Sequence, residues 1–179
     1  MKNQWTTKKS RIVYNNDWIT VREDVIVRKS GVHGTYGVVK TIGSSAIVAL
    51  NDNMEIALIR QWRYPLRHET IELPWGGKQK RESHLSAAKR ELREETGLSA
   101  RSWKSIGYVN GCPGVVQEDT RLFLATGLRH HAFKLDMEEQ HEKILTVPIQ
   151  IAYRWASDGT INDATAIAGI VRVKKLLKI

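Results

Sequence analysis

Residues 76–98, GGKQKRESHLSAAKRELREETGL, constrain the fold more than any other part of the chain. They predict a helix that begins near Ser83 and ends at the last glycine, because glycine adopts the left-handed conformation that closes a helix C-terminus. On this helix Glu91 and Glu95 lie one turn apart on one side, with Glu94 close beside them. Like charges at that spacing destabilise a helix, so this face needs either wide solvation or a bound cation.

The same helix is expected to pack against a sheet. Leu85, Ala88 and Leu92 form an apolar stripe beside the glutamates, which predicts that the carboxylates lie at the edge of the contact. Oxygen ligands favour magnesium, manganese or calcium. For the glutamates taken alone, the alternative is a solvated acidic face.

The spacing of the whole segment resembles a complete Nudix box. The pattern is Gly, five residues, Glu, seven residues, then Arg-Glu-aliphatic-x-Glu-Glu-x-Gly-aliphatic, and it is met by Gly76, Glu82, Arg90, Glu91, Leu92, Glu94, Glu95, Gly97 and Leu98. So many fixed positions are rarely met by chance. The resemblance implies an α/β Nudix fold, a mixed β-sheet sandwiched between helices, and a hydrolase in which divalent metals hold a pyrophosphate for attack by water.

The resemblance also implies a set of metal ligands. They are the side chains of Glu91, Glu94 and Glu95 and the main-chain oxygen of Trp75. Glu82 is expected to be a structural partner or an outer ligand, and Arg90 to fix the carboxylates by charge-assisted hydrogen bonds. Mg²⁺ is the expected metal, with Mn²⁺ as a substitute.

The flanking residues resemble the ADP-ribose pyrophosphatase and nucleoside diphosphate sugar hydrolase branch of the family. The matching segments are residues 61–65 (QWRYP), Glu72-Leu73-Pro74, and Pro113 with the glycine after it. The substrate-binding residues implied are Arg63, Glu72, Pro113 and Glu118. A guanidinium offers phosphate a bidentate fork, so Arg63 is expected to contact the diphosphate, with a salt bridge at the strand end as the alternative. Glu118 is expected to contact the substrate or a metal-bound water, or else to be a solvated loop residue.

The downstream acidic stretch departs from the family pattern. Counting back from Val147 places Gln140 where this branch often has a glutamate proposed as the general base. An amide cannot accept a proton at neutral pH as a carboxylate does, so this alignment predicts weakened turnover. A slip in the loop register assigns the base instead to Glu138, Glu139 or Glu142.

The order of strand and helix patterns predicts a mixed α/β protein. Residues 1–45 are expected to form an N-terminal β-hairpin region and residues 46–179 the catalytic domain. The hairpin spans 11–28, and the later elements are strands at 46–50, 54–62, 103–109, 120–126 and 144–147 and helices at 149–157 and 163–177, with a loop at 63–70.

In this branch the hairpin region often pairs with a second subunit, which implies a homodimer in which Trp18, or alternatively Tyr14, stacks on the base. Core packing is the alternative for both aromatics.

Composition limits the partners. A formal charge of +9 and a pI near 9.8 favour anionic ligands. Nucleic acid is not expected, because the basic residues lack the aromatic interleaving of a single-strand platform. No apolar run is long enough for a membrane span, and one cysteine with no apolar leader indicates the cytoplasm.

The expected activity is cleavage of ADP-ribose or a related nucleotide sugar into a nucleoside monophosphate and a sugar phosphate. One alternative is a Nudix enzyme acting on nucleoside triphosphates, dinucleoside polyphosphates or RNA 5′ ends. The other is a module that senses ADP-ribose without hydrolysing it, which Gln140 would favour.

Overall fold

The computed structural model describes residues 3–131 and 143–179, which divide into two compact units. The described residues up to Gly43, together with Asn110–Asp119, form the first unit, and Ser44–Val109 with the described residues of Thr120–Ile179 form the second. The domain boundary expected between residues 45 and 46 stays a prediction.

The strands are β1 (Trp5–Asn15), β2 (Ile19–Arg28), β3 (His33–Thr41), β4 (Ser44–Ala49), β5 (Glu55–Arg63), β6 (His68–Glu72), β7 (Trp75–Gly77), β8 (Leu98–Val109), β9 (Val116–Gln117), β10 (Thr120–His130) and β11 (Lys143–Pro148). The helices are α1 (His84–Thr96), α2 (Ile149–Asp158) and α3 (Ala164–Leu177). Among the residues described, no helix is both long and apolar enough to cross a membrane.

The first unit is one sheet in the order β1-β2-β3-β9, antiparallel except where β9 joins β3 in parallel. Its predicted N-terminal hairpin is confirmed, with Trp5 paired to Arg28 at one end and Asn15 to Thr20 at the other. The turn is fixed by Asn16, whose side-chain oxygen accepts the main-chain N–H groups of Trp18 and of Ile19, the first residue of β2.

The second unit is built around the sheet β7-β4-β10-β8, in which β4 and β10 run parallel. Because successive side chains of a strand point to opposite faces, Ala46 and Val48 of β4 join one core and Ile47 and Ala49 the other. The first core also contains residues of α2 and α3, and the second contains residues of α1. The predicted architecture, a mixed sheet sandwiched between helices, is therefore confirmed. A second sheet, β11-β5-β6, is antiparallel.

Two expectations about local structure were wrong. Leu85 is 38% exposed and takes no part in the apolar stripe, whereas Ala88 and Leu92 are fully buried. The first turn of α1 instead contacts β4 through His84, whose Nδ1 lies 3.0 Å from the Ser44 carbonyl oxygen. The loop expected at residues 63–70 is shorter, because β6 begins at His68 and pairs with β5.

Candidate active site

Helix α1 carries the glutamates of the candidate site and has well-formed ends. Ser83 caps its N-terminus by accepting the N–H of Ser86, and Gly97 ends it in the left-handed conformation. Glu91 and Glu95 are 9% and 8% exposed, so they lie on the buried side of the helix. The sequence placed them at the edge of the contact, and the structure buries them more deeply than that.

Glu91 lies directly against Gly76 of β7. A Cβ atom added to Gly76 would stand 2.2 Å from the carboxyl carbon of Glu91, so any other residue would require this carboxylate to leave its observed position. Burial raises the pKa of Glu91, and a hydrogen bond from Arg90 offsets part of that effect. Gly76, the first glycine of the segment 76–98, therefore leaves space for the Glu91 carboxylate.

Arg90 holds three carboxylates at once. Its Nη1 donates to Glu91 at 2.7 Å and to Glu94 at 2.8 Å, and its Nε and Nη2 donate to the two oxygens of Glu82 at 3.1 and 3.0 Å. Nη2 also donates to the Gly77 carbonyl oxygen at 2.8 Å. These bonds, with Glu82 the strongest, raise the pKa of Arg90. We call this set, Arg90 with Glu82, Glu91 and Glu94, the Arg90 cluster.

Glu95 is held separately from the Arg90 cluster. Its Oε2 accepts the main-chain N–H of Trp75 at 3.0 Å. Trp75 is the first residue of β7 and pairs with Ala46 of β4, so this carboxylate is fixed to the central sheet. Trp75, whose main-chain oxygen is expected to bind the metal, therefore contacts Glu95, one of the expected side-chain ligands, through its main-chain N–H.

Arg63 and Glu72 form a bidentate ion pair. Arg63 Nε donates to Glu72 Oε1 at 2.8 Å and Nη2 donates to Oε2 at 2.5 Å. Thr70 adds a donor to Oε1, and the Trp75 indole N–H adds one to Oε2 at 2.7 Å. Burial acts to raise the pKa of Glu72, but the bonds from Arg63 and Thr70 outweigh it and the pKa is lowered. The alternative of a salt bridge at the end of β5 is thus realised, and substrate contact by Arg63 stays a prediction.

The carboxylates of the Arg90 cluster and of Glu95 fit a hard divalent cation chemically. Each would offer oxygen atoms to the cation, and the three carboxylates of the cluster with its one guanidinium carry a net charge of −2 when ionised. Within residues 3–131 and 143–179, no three His, Cys, Asp or Glu side chains are already arranged around a cation position. Of the expected side-chain ligands, Glu94 has the most room to move, since 44% of its side chain is exposed.

Three other expected site residues lie in the first unit. Pro113 and Glu118 line a hollow of about 390 Å³ together with Arg22 and Tyr36. Tyr36 donates to the Gly114 carbonyl oxygen at 2.5 Å, which fixes the loop that carries the proline. Trp18 lies at the hairpin turn and is 69% exposed. Its exposure does not agree with core packing.

The expected general-base position lies outside the described residues. Gln140 and its alternatives, Glu138, Glu139 and Glu142, all fall in the segment 132–142. Their assignment stays a prediction.

Sequence reasoning missed two side chains that donate hydrogen bonds to Glu72 of the Arg63–Glu72 pair. Thr70 and the indole of Trp75 complete the hydrogen bonds of the Glu72 carboxylate. Thr70 is two residues before Glu72 in the same strand, so the two side chains lie on one face, which is a signal that the sequence offered.

Comparison with known proteins adds two family matches. Residues 40–166 match a family model described as the NUDIX domain. Residues 5–39 match a model described as the nucleoside diphosphate sugar hydrolase N-terminal domain. Together they account for most of the chain, including all elements from β1 to α2.

Individual relatives agree with these models. An ADP-ribose pyrophosphatase of Mycobacterium tuberculosis (strain ATCC 25618 / H37Rv) is 34% identical over 181 residues, covering 96% of this chain and 84% of the relative. An ADP-ribose pyrophosphatase of Bacillus subtilis (strain 168) is 30% identical over 128 residues, which cover 71% of this chain and 69% of the relative. A solved structure, described as the crystal structure of ADP compounds hydrolase, has a TM-score of 0.84 over 98% of this chain and 95% of that one. At 20% identity that likeness shows the fold alone.

Proposed function

Because this chain belongs to the Nudix family and is a Nudix pyrophosphohydrolase, we propose that it hydrolyses the pyrophosphate bond of ADP-ribose or a related nucleoside diphosphate sugar. The products are a nucleoside monophosphate and a sugar phosphate. The observation that carries the proposal is the acidic side of α1, where Glu91 and Glu95 are buried against β7 and the Arg90 cluster keeps a negative charge surplus. Such a surface suits a cation-bridged diphosphate.

The substrate class is supported by the first unit. The model matching residues 5–39 is described as the N-terminal domain of nucleoside diphosphate sugar hydrolases, and two relatives at 30% identity or more are named ADP-ribose pyrophosphatases. These matches favour a nucleotide sugar over a nucleoside triphosphate, a dinucleoside polyphosphate or an RNA 5′ end.

Mg²⁺ is the proposed metal, with Glu91, Glu94, Glu95 and the main-chain oxygen of Trp75 as its ligands and Mn²⁺ as a substitute. When bound, the metal neutralises the diphosphate and lowers the pKa of water that attacks phosphorus. The chain's own contribution is orientation. Arg90 aligns two of these carboxylates, and the Trp75 N–H fixes the third.

Arg63 is the proposed contact to the diphosphate, and Glu72 holds it in place through the bidentate pair. A guanidinium that is already oriented loses little freedom when it binds phosphate oxygens. Pro113 and Glu118 of the first unit are also proposed as substrate contacts, since they line one hollow with Arg22. A homodimer in which Trp18 stacks on the base completes the proposal, and sedimentation of a fully active monomer would contradict it.

A substrate panel tests the activity. With Mg²⁺, we expect ADP-ribose to yield AMP and ribose 5-phosphate, while a nucleoside triphosphate and 5′-triphosphate RNA remain intact. Release of pyrophosphate or monophosphate from the triphosphate or the RNA, with ADP-ribose intact, would establish the rival enzyme class. ADP-ribose that binds in calorimetry but gives no product after long incubation would identify a sensor.

Gln140 decides between an efficient and a weakened enzyme. If Gln140 occupies the general-base position, Gln140→Glu restores a proton acceptor and raises kcat by about 10²–10⁴-fold. Equal, high rates for the two proteins would remove Gln140 from the mechanism and return the role to one of the neighbouring glutamates. Gln150→Glu in α2 is the matched control, because it makes the same change outside the acidic stretch.

A further inference from the structure

Trp75 contacts two charged groups of the second unit, one through its main chain and one through its side chain. Its main-chain N–H donates to Glu95 at 3.0 Å, and its indole N–H donates to Glu72 at 2.7 Å. One residue therefore contacts a carboxylate expected to bind metal and the carboxylate that holds Arg63. The family resemblance assigns a role only to its main-chain oxygen.

The indole also contacts the arginine of the ion pair. The guanidinium carbon of Arg63 lies 5.3 Å from the centroid of the Trp75 ring, within the range of a cation–π contact. Arg63 is thus held by Glu72 along one edge and by the ring of Trp75. Two directions of contact define the orientation of a planar group better than one.

The hydrogen bonds on Glu72 show why the indole matters. Each carboxylate oxygen accepts one bond from Arg63 and one from a second donor, Thr70 for Oε1 and Trp75 for Oε2. With the indole N–H removed, Oε2 would lose its second donor and the carboxylate could rotate with its arginine. Loss of a bond to a buried charged group is costly because water cannot replace it.

Trp75 is itself held firmly. It is partly buried against the core that contains Leu73 and Val48, and its main chain pairs with Ala46 of β4. The position of the indole is therefore set by the central sheet, and the ring can transmit that position to Arg63.

We propose that the Trp75 side chain is a positioning residue, whose indole fixes the Arg63–Glu72 pair so that the guanidinium is presented to the substrate diphosphate. This rests on the proposed function, because it assigns Arg63 to the diphosphate. The tryptophan acts through Arg63 and needs no contact with the reacting atoms.

The kinetic test is Trp75→Phe, which keeps an aromatic ring and removes the N–H. We expect KM for ADP-ribose to rise about 10-fold, as for the loss of one hydrogen bond to a charged group, with kcat changed much less. The matched control is Trp103→Phe, which removes an indole N–H that donates to the Ala100 carbonyl oxygen in the same unit. A KM equal to that of the wild type, or an equal rise in the control, would overturn the proposal.

A double-mutant cycle separates positioning from general loss of structure. In a Glu72→Gln background, Trp75→Phe should raise KM little further, because the contact through which it acts is already weakened. Additive effects of the two substitutions on KM would show that Trp75 acts elsewhere and would overturn the inference.

A spectroscopic test needs no substrate. It also does not use Trp75→Phe, so it still tests the inference if that variant fails to fold. The chain has six tryptophans, and the indole N–H signal of Trp75 should be shifted far downfield and exchange slowly with water. Glu72→Gln should move that one signal upfield. An unmoved set of six indole signals would refute the hydrogen bond. Wild-type protein that leaves ADP-ribose intact would refute the proposed function instead, and the signal would then decide on Trp75 alone.

Discussion

The Arg90 cluster and the Arg63–Glu72 pair distribute charge in opposite ways. In the Arg90 cluster one guanidinium serves three carboxylates, so negative charge remains in excess. In the Arg63–Glu72 pair one carboxylate receives four hydrogen bonds from three residues, so its charge is balanced and its acceptors are occupied. The carboxylates of the Arg90 cluster can therefore still bind a cation. The Glu72 carboxylate is instead fully engaged by its hydrogen-bond donors and serves to hold Arg63.

The pKa shifts follow this difference. Burial raises the pKa of Glu91, and the shared arginine does not fully compensate for it. Glu72 is also buried, yet its donors lower its pKa below the usual carboxyl range. Two buried carboxylates thus have opposite pKa shifts, depending on how many donors reach each of them. A buried carboxylate with too few donors is a better candidate for cation binding than one whose donors are complete.

The largest expected effect comes from Glu91→Gln. The amide keeps the shape but loses the charge that the proposed metal requires, so kcat/KM for ADP-ribose should fall about 100-fold or more at fixed Mg²⁺. The matched control is Glu69→Gln in β6, where the side chain is 56% exposed and lies 3.7 Å from Arg60. Activity within about threefold of the wild type would contradict the role given to the Arg90 cluster.

Gly76→Ala tests the same carboxylate through the backbone. The new Cβ would overlap the Glu91 carboxyl group, so Glu91 must move away from β7, and the strain is expected to cost about 1–3 kcal/mol of unfolding free energy. We expect kcat/KM to fall about 10–100-fold, less than for Glu91→Gln, since the displaced carboxylate is still charged. Gly37→Ala is the control, because nothing lies within 4 Å of its added Cβ. A fully active Gly76→Ala enzyme would show that Glu91 has no fixed position.

Arg90→Lys tests how much the shared guanidinium contributes. Lysine keeps the positive charge but lacks the fork that reaches three carboxylates, so their orientation is lost while the net charge is unchanged. We expect the Mg²⁺ concentration for half-maximal activity to rise about 10-fold, measured by titration at saturating ADP-ribose. Arg93→Lys is the matched control, because Arg93 lies on the exposed side of α1. An unchanged Mg²⁺ requirement would make Arg90 a purely structural residue.

Local patterns explain which parts of this comparison the sequence could predict. Helix α1 was predicted with both ends because its cap at Ser83 and its final Gly97 act within one or two turns. The crowding of Glu91, Glu94 and Glu95 follows from helix geometry alone. The sandwich was implied by the resemblance.

The remaining features depend on contacts between distant residues. Leu85 is in phase with Leu92, and only the docking of His84 on Ser44 shows that the first turn makes a polar contact. The register of β5 and β6 sets Arg63 opposite His68 and Glu72 opposite Ile59, so the Arg63–Glu72 pair runs along the hairpin rather than straight across it, and the missed β6 concealed it. The indole of Trp75 reaches Glu72 only because the chain turns between β6 and β7.

Asp163 adds to the comparison a carboxylate that caps a helix. It caps α3 by accepting the N–H of Ala166 at 2.6 Å and lines a hollow of about 290 Å³ with Thr70 and Glu72. Burial raises its pKa, and the main-chain donor offsets this only in part. Asp163 is only partly buried, but like Glu91 it has a raised pKa that its hydrogen bonds do not fully offset, and here the compensating bond comes from a helix end.

Asp163→Asn should therefore have the smallest effect and a favourable sign at neutral pH. A raised folded-state pKa means that the carboxyl group stabilises the fold below its unfolded pKa, and that this stability is lost as the pH rises through the folded value. Asparagine caps a helix about as well as aspartate, so it removes the buried charge and keeps the cap. We expect the free energy of unfolding at neutral pH to rise by up to about 1 kcal/mol, and the gain to vanish in acid, measured by urea denaturation at both pH values. Asp163→Ala, which loses the cap as well as the charge, should instead cost about 1 kcal/mol in acid and less at neutral pH, where loss of the charge offsets part of the loss of the cap. If asparagine destabilises the protein at neutral pH, the charge of Asp163 is better compensated than that of Glu91, and the two carboxylates belong to different classes.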